Sequence, residues 1–302
     1  MREAEATGTG RLRRLARTAG LVAIPLAIPL ASLALAVLLD PRWVAVVLAA
    51  ALAYGFMSSV VAARRLLFLA GASAHSALLA AVLAIPLAAT TVLRSRYAWA
   101  VLVGLVLIYI VGYMIHRGIE PDTATAVFVA ATASASALAI YYVLTRFPVQ
   151  AELWAIVVGD PLLASWADAW YALAIASATA LAVLLTYREQ VYAGLDKEFV
   201  QLSGARLWAY DWLVFTLLAL TTVGLIKVVG FVLEHALLLL PAAIATRLAR
   251  SSKGVLLVSV SVSTSAALVG LCLAVLTDQS PAGLIGATLL AAYLLALTLK
   301  RR

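Results

Sequence analysis

The stretch from Lys227 to Ser251, KVVGFVLEHALLLLPAAIATRLARS, decides the fold class. Residues 228–246, between Lys227 and Arg247, carry one carboxylate, Glu234, and one imidazole, His235, and are otherwise uncharged. A helix rises about 1.5 Å per residue, so roughly 20 apolar residues cross the hydrocarbon of a bilayer. Pro241 does not disqualify the run, because membrane helices tolerate proline where neighbouring helices satisfy the freed carbonyl. An ionisable group at that depth costs about 2.5–3.5 kcal/mol on insertion scales. Glu234 and His235 therefore need a partner, a cavity or a function.

Outward from this stretch the same pattern recurs. Segments near 18–39, 43–62, 66–93, 97–115, 123–145, 169–187, 210–227, 255–276 and 282–299 join 231–248 as expected spans, about ten in all. Hydrophobic residues make up 65% of the chain and charged ones 12%, with mean hydropathy +1.06. Soluble domains average about 45–50% and 25%. The runs are too long and too rich in Ala and Leu for barrel strands. The composition thus predicts an all-α, polytopic helical membrane protein, with residues 1–17 as a cytoplasmic N-terminal segment and 18–302 as one transmembrane domain. The apolar run from Leu21 to Leu39 exceeds the roughly 7–15 residues of a secretory signal core and reads as a first span.

The lone Cys272 offers no disulfide framework and no cysteine zinc site. The net charge of +8 does not point to nucleic acid, since Lys and Arg cluster between apolar segments with no interleaved aromatic strip. With both termini inside, seventeen basic residues fall on the inner face and five on the outer, accounting for all 22. That asymmetry predicts a multi-pass protein of the cell membrane with cytoplasmic ends.

Two connections are long enough to hold structure. The outer one, 146–168, contains Trp154, Ile156, Val157, Trp166 and Asp160-Pro161, and reads as a short interfacial helix. The inner one, 188–209, is the one substantial cytoplasmic segment. In it Asp196 and Glu198 open a short helix, Phe199, Val200 and Leu202 form an apolar surface, and Gly204 suits a left-handed stop.

Within the spans, His75, Glu234 and His235 stand out; Asp40, Asp122, Asp168, Asp211, Lys227 and Asp278 lie near expected ends, within reach of water. Imidazole and carboxylate are ligands suited to borderline divalent metals. The plainer reading is a helix–helix bond, for instance Glu234 to Lys227. Sequence depth places His75 about nine residues from one end of its span and Glu234 about four from the opposite end of its own, so the two need not be level. No Walker A loop, nucleophile elbow or His-x-x-x-His helix is present, so a nucleotide or hydrolytic function is not expected.

Three stretches resemble the membrane permeases of zinc-, manganese- and iron-type ABC importers. AARRLLFLAGASAHSALLAAVLA (62–84) resembles that family's arginine turn and Gly-Asp-x-x-Ser-His-like helix. LDKEFVQLSGARLWAYDWL (195–213) resembles its coupling loop, and 227–251 its Pro-Ala-Ala helix; VVGDPLLASWADAW (157–170) is a weaker match. The resemblance implies a type II ABC importer-like bundle, working as a homodimer in the lipid bilayer. It also implies a cytoplasmic ABC ATPase subunit and an extracellular metal-binding protein as partners. This chain would bind no cofactor of its own and would carry a divalent metal ion as cargo. Asp196, Glu198, Phe199, Val200 and Gly204 would seat in the ATPase; Pro241, Ala242, Ala243 and Arg247 match the helix signature. His75, Ser76, Glu234 and His235 would line the transport path. Ala72 stands where the family has Asp, Ser76 occupies its His position, and Val200 replaces its Ala, which leaves the cargo open. A permease for a metal chelate such as a siderophore, haem or cobalamin, and a proton-coupled secondary transporter, are the alternatives.

Overall fold

The computed structural model describes residues 39–298, apart from 203, 205 and the side chain of Phe199, as a bundle of ten α-helices. These are α1 (Pro41–Ala63), α2 (Leu67–Thr90), α3 (Arg96–His116), α4 (Pro121–Arg146), α5 (Gln150–Val158), α6 (Trp166–Leu195), α7 (Lys197–Leu202), α8 (Leu207–Leu248), α9 (Ser252–Thr277) and α10 (Pro281–Thr298). A 3-10 turn, Pro161–Leu163, lies between α5 and α6, and no strand occurs among the described residues. The expected span at 18–39, the segment 1–17 and the basic end 300–302 lie outside the described residues.

Local chemistry starts the helices where the sequence changes character. Asp40 accepts the Arg42 N–H at 2.8 Å ahead of Pro41, and Ser251 accepts the Gly254 N–H at 3.1 Å. Ser165 and Asp168 form a reciprocal capping box at the head of α6. Each arrangement satisfies a backbone donor that the first helical turn leaves unpaired.

The 42-residue α8 would be about 63 Å long if straight, twice the thickness of the hydrocarbon. It is broken at Gly230, whose φ of 77° and ψ of 157° are not helical. Contacts along α1 show the consequence. Asp211 pairs with Arg64 at the end of α1, and Val228 packs with Val46 near its start. The Ala242 N–H then donates to Ser58 Oγ at 3.0 Å, back towards the end of α1. Residues 207–229 therefore ascend and 231–248 descend. Eight stretches are long and apolar enough to span, and with α8 counted as two limbs the described residues offer nine candidate crossings. The two separate spans expected at 210–227 and 231–248 are these limbs.

The richest spanning stretches of α1, α2 and α8 are 72%, 72% and 78% buried, against 28% for α3, α4 and α10, so the first three form the core. Their apolar side chains pack at the centre, with Tyr54, Met57, Leu218, Leu225, Leu237 and Leu238 fully enclosed. Helix α9 closes on α1 through small residues: Ser259 Oγ donates to the Gly55 carbonyl at 3.0 Å and Ser263 Oγ to the Ala51 carbonyl at 2.7 Å. Lipid tails are as apolar as leucine, so close backbone approach and hydrogen bonds of this kind carry helix association in a bilayer.

Candidate functional site

The turn at Gly230 is sunk into the bundle and sets the level of everything after it. Gly71 of α2 packs toward Leu239 and His75 toward His235, which puts the turn opposite residue 80 or so, about 15 Å short of the end of α2. Helix α5 covers the turn. A Cβ on Gly159 would meet the Val229 carbonyl oxygen at 2.0 Å, and one on Gly230 would meet the Gly159 nitrogen at 2.2 Å. Both glycines have positive φ, 80° and 77°, so neither position admits a side chain. The interfacial helix expected within 146–168 exists as α5, with Trp154 outward and Leu153 and Ile156 buried. Its role in bracing this turn was not legible.

Because the descending limb starts low, His75 and His235 meet. Their ring centroids are 6.0 Å apart, and the Phe231 ring touches both at 5.1 Å. The expectation that the ionisable residues of the two helices need not be level is thus resolved in favour of contact for the imidazoles. His235 Nδ1 lies 3.0 Å from the Phe231 carbonyl oxygen. A carbonyl only accepts, so Nδ1 carries a proton and Nε2 is the nitrogen left for another partner. Both rings are half-buried.

Glu234 does not join them. Successive helical residues diverge by about 100°, and its carboxylate turns inward, 0% exposed, into electrostatic reach of the fully buried Tyr54 of α1. Neither carboxylate oxygen, nor the Tyr54 hydroxyl, has a hydrogen-bond partner among the described residues. Ser76 is fully buried and donates to the Ser73 carbonyl at 2.6 Å within its own helix. No cluster of three or more His, Cys, Asp or Glu able to hold a metal occurs among the described residues.

Lys227 serves a different acid. Its Nζ donates to Asp168 Oδ1 at 2.9 Å and to the Tyr97 hydroxyl at 3.2 Å, and Tyr97 in turn donates to Asp168. The expectation that Lys227 offsets Glu234 gives way to a tie between α3, α6 and α8. Asp168, expected to reach water, is 4% exposed and takes further hydrogen bonds from the Ser165 N–H and hydroxyl. The Tyr97 and Lys227 side chains close over the carboxylate at the head of α6.

At the opposite end, α7 stands on the connection between α6 and α8. Val200 is buried against Ala193 and Leu207, so it anchors the short helix rather than adding to its outer surface. Glu198 and Leu202 are exposed, Leu202 at 88%. Asp196 terminates α6 and its carbonyl accepts the Val200 N–H at 3.3 Å. Gly204 has φ of 78° with open space around it, matching the expected left-handed stop. The Arg64–Asp211 ion pair ties the base of this end, with Arg64 nearly enclosed and its pKa lowered by burial to about 10. Pro241 and Ala242 are buried, Ala243 half-buried and Arg247 exposed. Ser58 accepts the Ala242 N–H beside the proline, where the helical ladder is interrupted.

Tyr54 and Phe231 escaped the sequence reading. Phe231 could have been found four residues ahead of His235, on the same helix face; an apolar run gives no local signal for Tyr54.

Comparison with known proteins places these features in company. The profile of the ABC 3 transport family matches residues 36–300. The manganese transport system membrane protein MntC of Halalkalibacterium halodurans is 27% identical over 225 residues, covering 74% of each chain. The manganese import system permease protein ScaB of Streptococcus pneumoniae is 30% identical over 120 residues, 40% of this chain and 43% of that one. Among solved structures, PsaBC from Streptococcus pneumoniae in complex with Fab superposes with a TM-score of 0.74 at 20% identity, covering 85% of this chain and 90% of that one. A metal-chelate-type ABC transporter in an inward-facing conformation gives 0.70 at 13% identity, covering 91% and 98%. At those identities the likeness is one of fold.

Proposed function

Because this chain belongs to the ABC 3 transport family, we propose that it is the membrane permease of an ATP-driven importer for a divalent metal ion, working as a homodimer with separate ATPase subunits and an extracellular metal-binding protein. The observation that carries the reading is the meeting of His75 and His235 across α2 and α8, with Nδ1 of His235 engaged by the Phe231 carbonyl and Nε2 left for another partner. Two imidazoles without a third or fourth ligand make a weak stop. Conduction needs binding strong enough to admit an ion and weak enough to release it. Manganese is the cargo favoured by the names of the relatives, and imidazole suits zinc and iron as well.

The Arg64 end is the cytoplasmic one in this proposal, following the excess of Lys and Arg there. Helix α7 then faces the cytoplasm with Glu198 and Leu202 outward, a short helix rooted by Val200 and free to enter a groove on the ATPase. Asp196, Glu198, Phe199 and Gly204 form that coupling element; Pro241, Ala242, Ala243 and Arg247 shape the descending limb. Glu234 stands behind His235 as a second polar group on the path, and Ser76 backs His75.

The test is uptake by the reconstituted permease–ATPase complex, measured in turn for manganese, zinc and iron. ATP-dependent uptake of at least one, lowered by His75→Ala and by His235→Ala, is expected. Uptake by the purified chain alone, driven by a proton gradient, would assign the chain to the secondary transporters instead.

A further inference from the structure

Helices α6 and α9 part at the Arg64 end around a cleft of about 600 Å³. Leu184, Val191, Leu256 and Leu257 line it, and Arg188 and Lys253 stand at its rim. No carboxylate lines the cleft. Among the described residues the ion pairs engage Arg42, Arg64, Arg96 and Lys227, none of them at this rim. Arg188 instead lies over the Tyr192 ring at 5.4 Å. The two helices are tied at the cleft by the Tyr187 hydroxyl, which donates to the Ser252 carbonyl at 2.9 Å.

Depth adds a second constraint. Arg188 is the first charge after the apolar run 169–187, and Lys253 the last before 255–276. Both cationic heads therefore stand where hydrocarbon gives way to headgroups, with leucines directly below. Leu184 and Leu257 are 59% and 51% exposed.

We propose that this cleft binds one anionic phospholipid, its phosphodiester held between Arg188 and Lys253 and an acyl chain laid along Leu184 and Leu257. Each part of the cleft selects for that ligand. A water-soluble anion would meet the cations and leave the leucine wall uncovered. A zwitterionic lipid would bring a cation of its own to a rim with no acid to receive it. An anionic diester with a hydrocarbon tail satisfies both halves, and the guanidinium fork matches paired phosphate oxygens. The inference is independent of which ion the protein carries.

Native mass spectrometry of the full chain, purified in detergent and offered phosphatidylglycerol and phosphatidylcholine at equal concentration, tests it. Phosphatidylglycerol should be retained at least tenfold better. That preference should vanish in Arg188→Gln/Lys253→Gln and persist in Arg188→Lys/Lys253→Arg, and inorganic phosphate should not displace the lipid. Equal retention of the two lipids, a preference that survives the double glutamine variant, or displacement by inorganic phosphate would each overturn the proposal. Should the double variant not purify, either single glutamine variant is read in the same way, with a severalfold loss expected and an unchanged preference refuting the site.

Discussion

Asp168 and Glu234 are the two buried carboxylates among the described residues, and the protein treats them in opposite ways. Asp168, at the Lys227 end, receives hydrogen bonds from Ser165, Tyr97 and Lys227 and joins three helices. Glu234, wholly enclosed, has no hydrogen-bond partner among the described residues and lies within electrostatic reach of Tyr54, equally unpartnered among them. A buried carboxyl without partners costs free energy that an apolar side chain would not. The first acid is thus a tie whose removal harms the fold. The second ties nothing together among the described residues, and its place on the transport path belongs to the proposal above.

The largest effect should come from cutting the satisfied acid. Asp168→Ala leaves Lys227 and Tyr97 without their acceptor and is expected to lower stability by about 3 kcal/mol, seen as a large drop in thermal unfolding temperature in detergent. Solvent reaching Lys227, whose side chain is 43% exposed, keeps the figure from the top of the range. Retention of wild-type stability would show that the tie is ornamental.

Next in size is the functional counterpart. Glu234→Gln with His235→Ala should reduce metal uptake about tenfold or more, the scale on which losing polar groups from a binding path is felt, while basal ATP hydrolysis of the complex continues. Unchanged uptake would demote both residues to helix packing. Glu198→Arg, on exposed α7, should loosen ATPase association by about 1–2 kcal/mol without altering stability. A pull-down of the ATPase by the variant membrane protein measures it, and an intact, normally transporting complex would remove α7 from the partner interface. Smallest is the stability change in Glu234→Leu, expected within about 1 kcal/mol of wild type or slightly favourable, because the replaced group has no hydrogen bond among the described residues to lose. A marked destabilisation there would reveal a structural partner for Glu234 and collapse the contrast with Asp168.

Much of the fold was legible from hydropathy alone. The spans from 43 to 298 appear within a few residues of their expected limits, because a bilayer demands a fixed length of uncharged helix and charges mark its ends; the exception is α6, which runs on to Leu195, eight residues past the expected limit and into the segment expected as a connection. Gly204 and the short helix before it were also legible, since a left-handed stop is a local preference. The inward turn of Val200 was not, because a six-residue helix has too few positions for its faces to be told apart by pattern. Nor was the pairing of Lys227 with Asp168, 59 residues away in sequence.

By itself the sequence determined the solvent, the number and limits of most crossings, and the residues whose chemistry is out of place in lipid. Those are properties of composition along a line, and a bilayer reads them as such. The tertiary structure decided which of those residues meet: two glycines on separate elements allow backbone to touch backbone, the turn of α8 sinks, and His235 comes level with His75 while Glu234 rotates into the core. Depth and azimuth of that kind are fixed by packing between distant segments, which a single helix cannot encode.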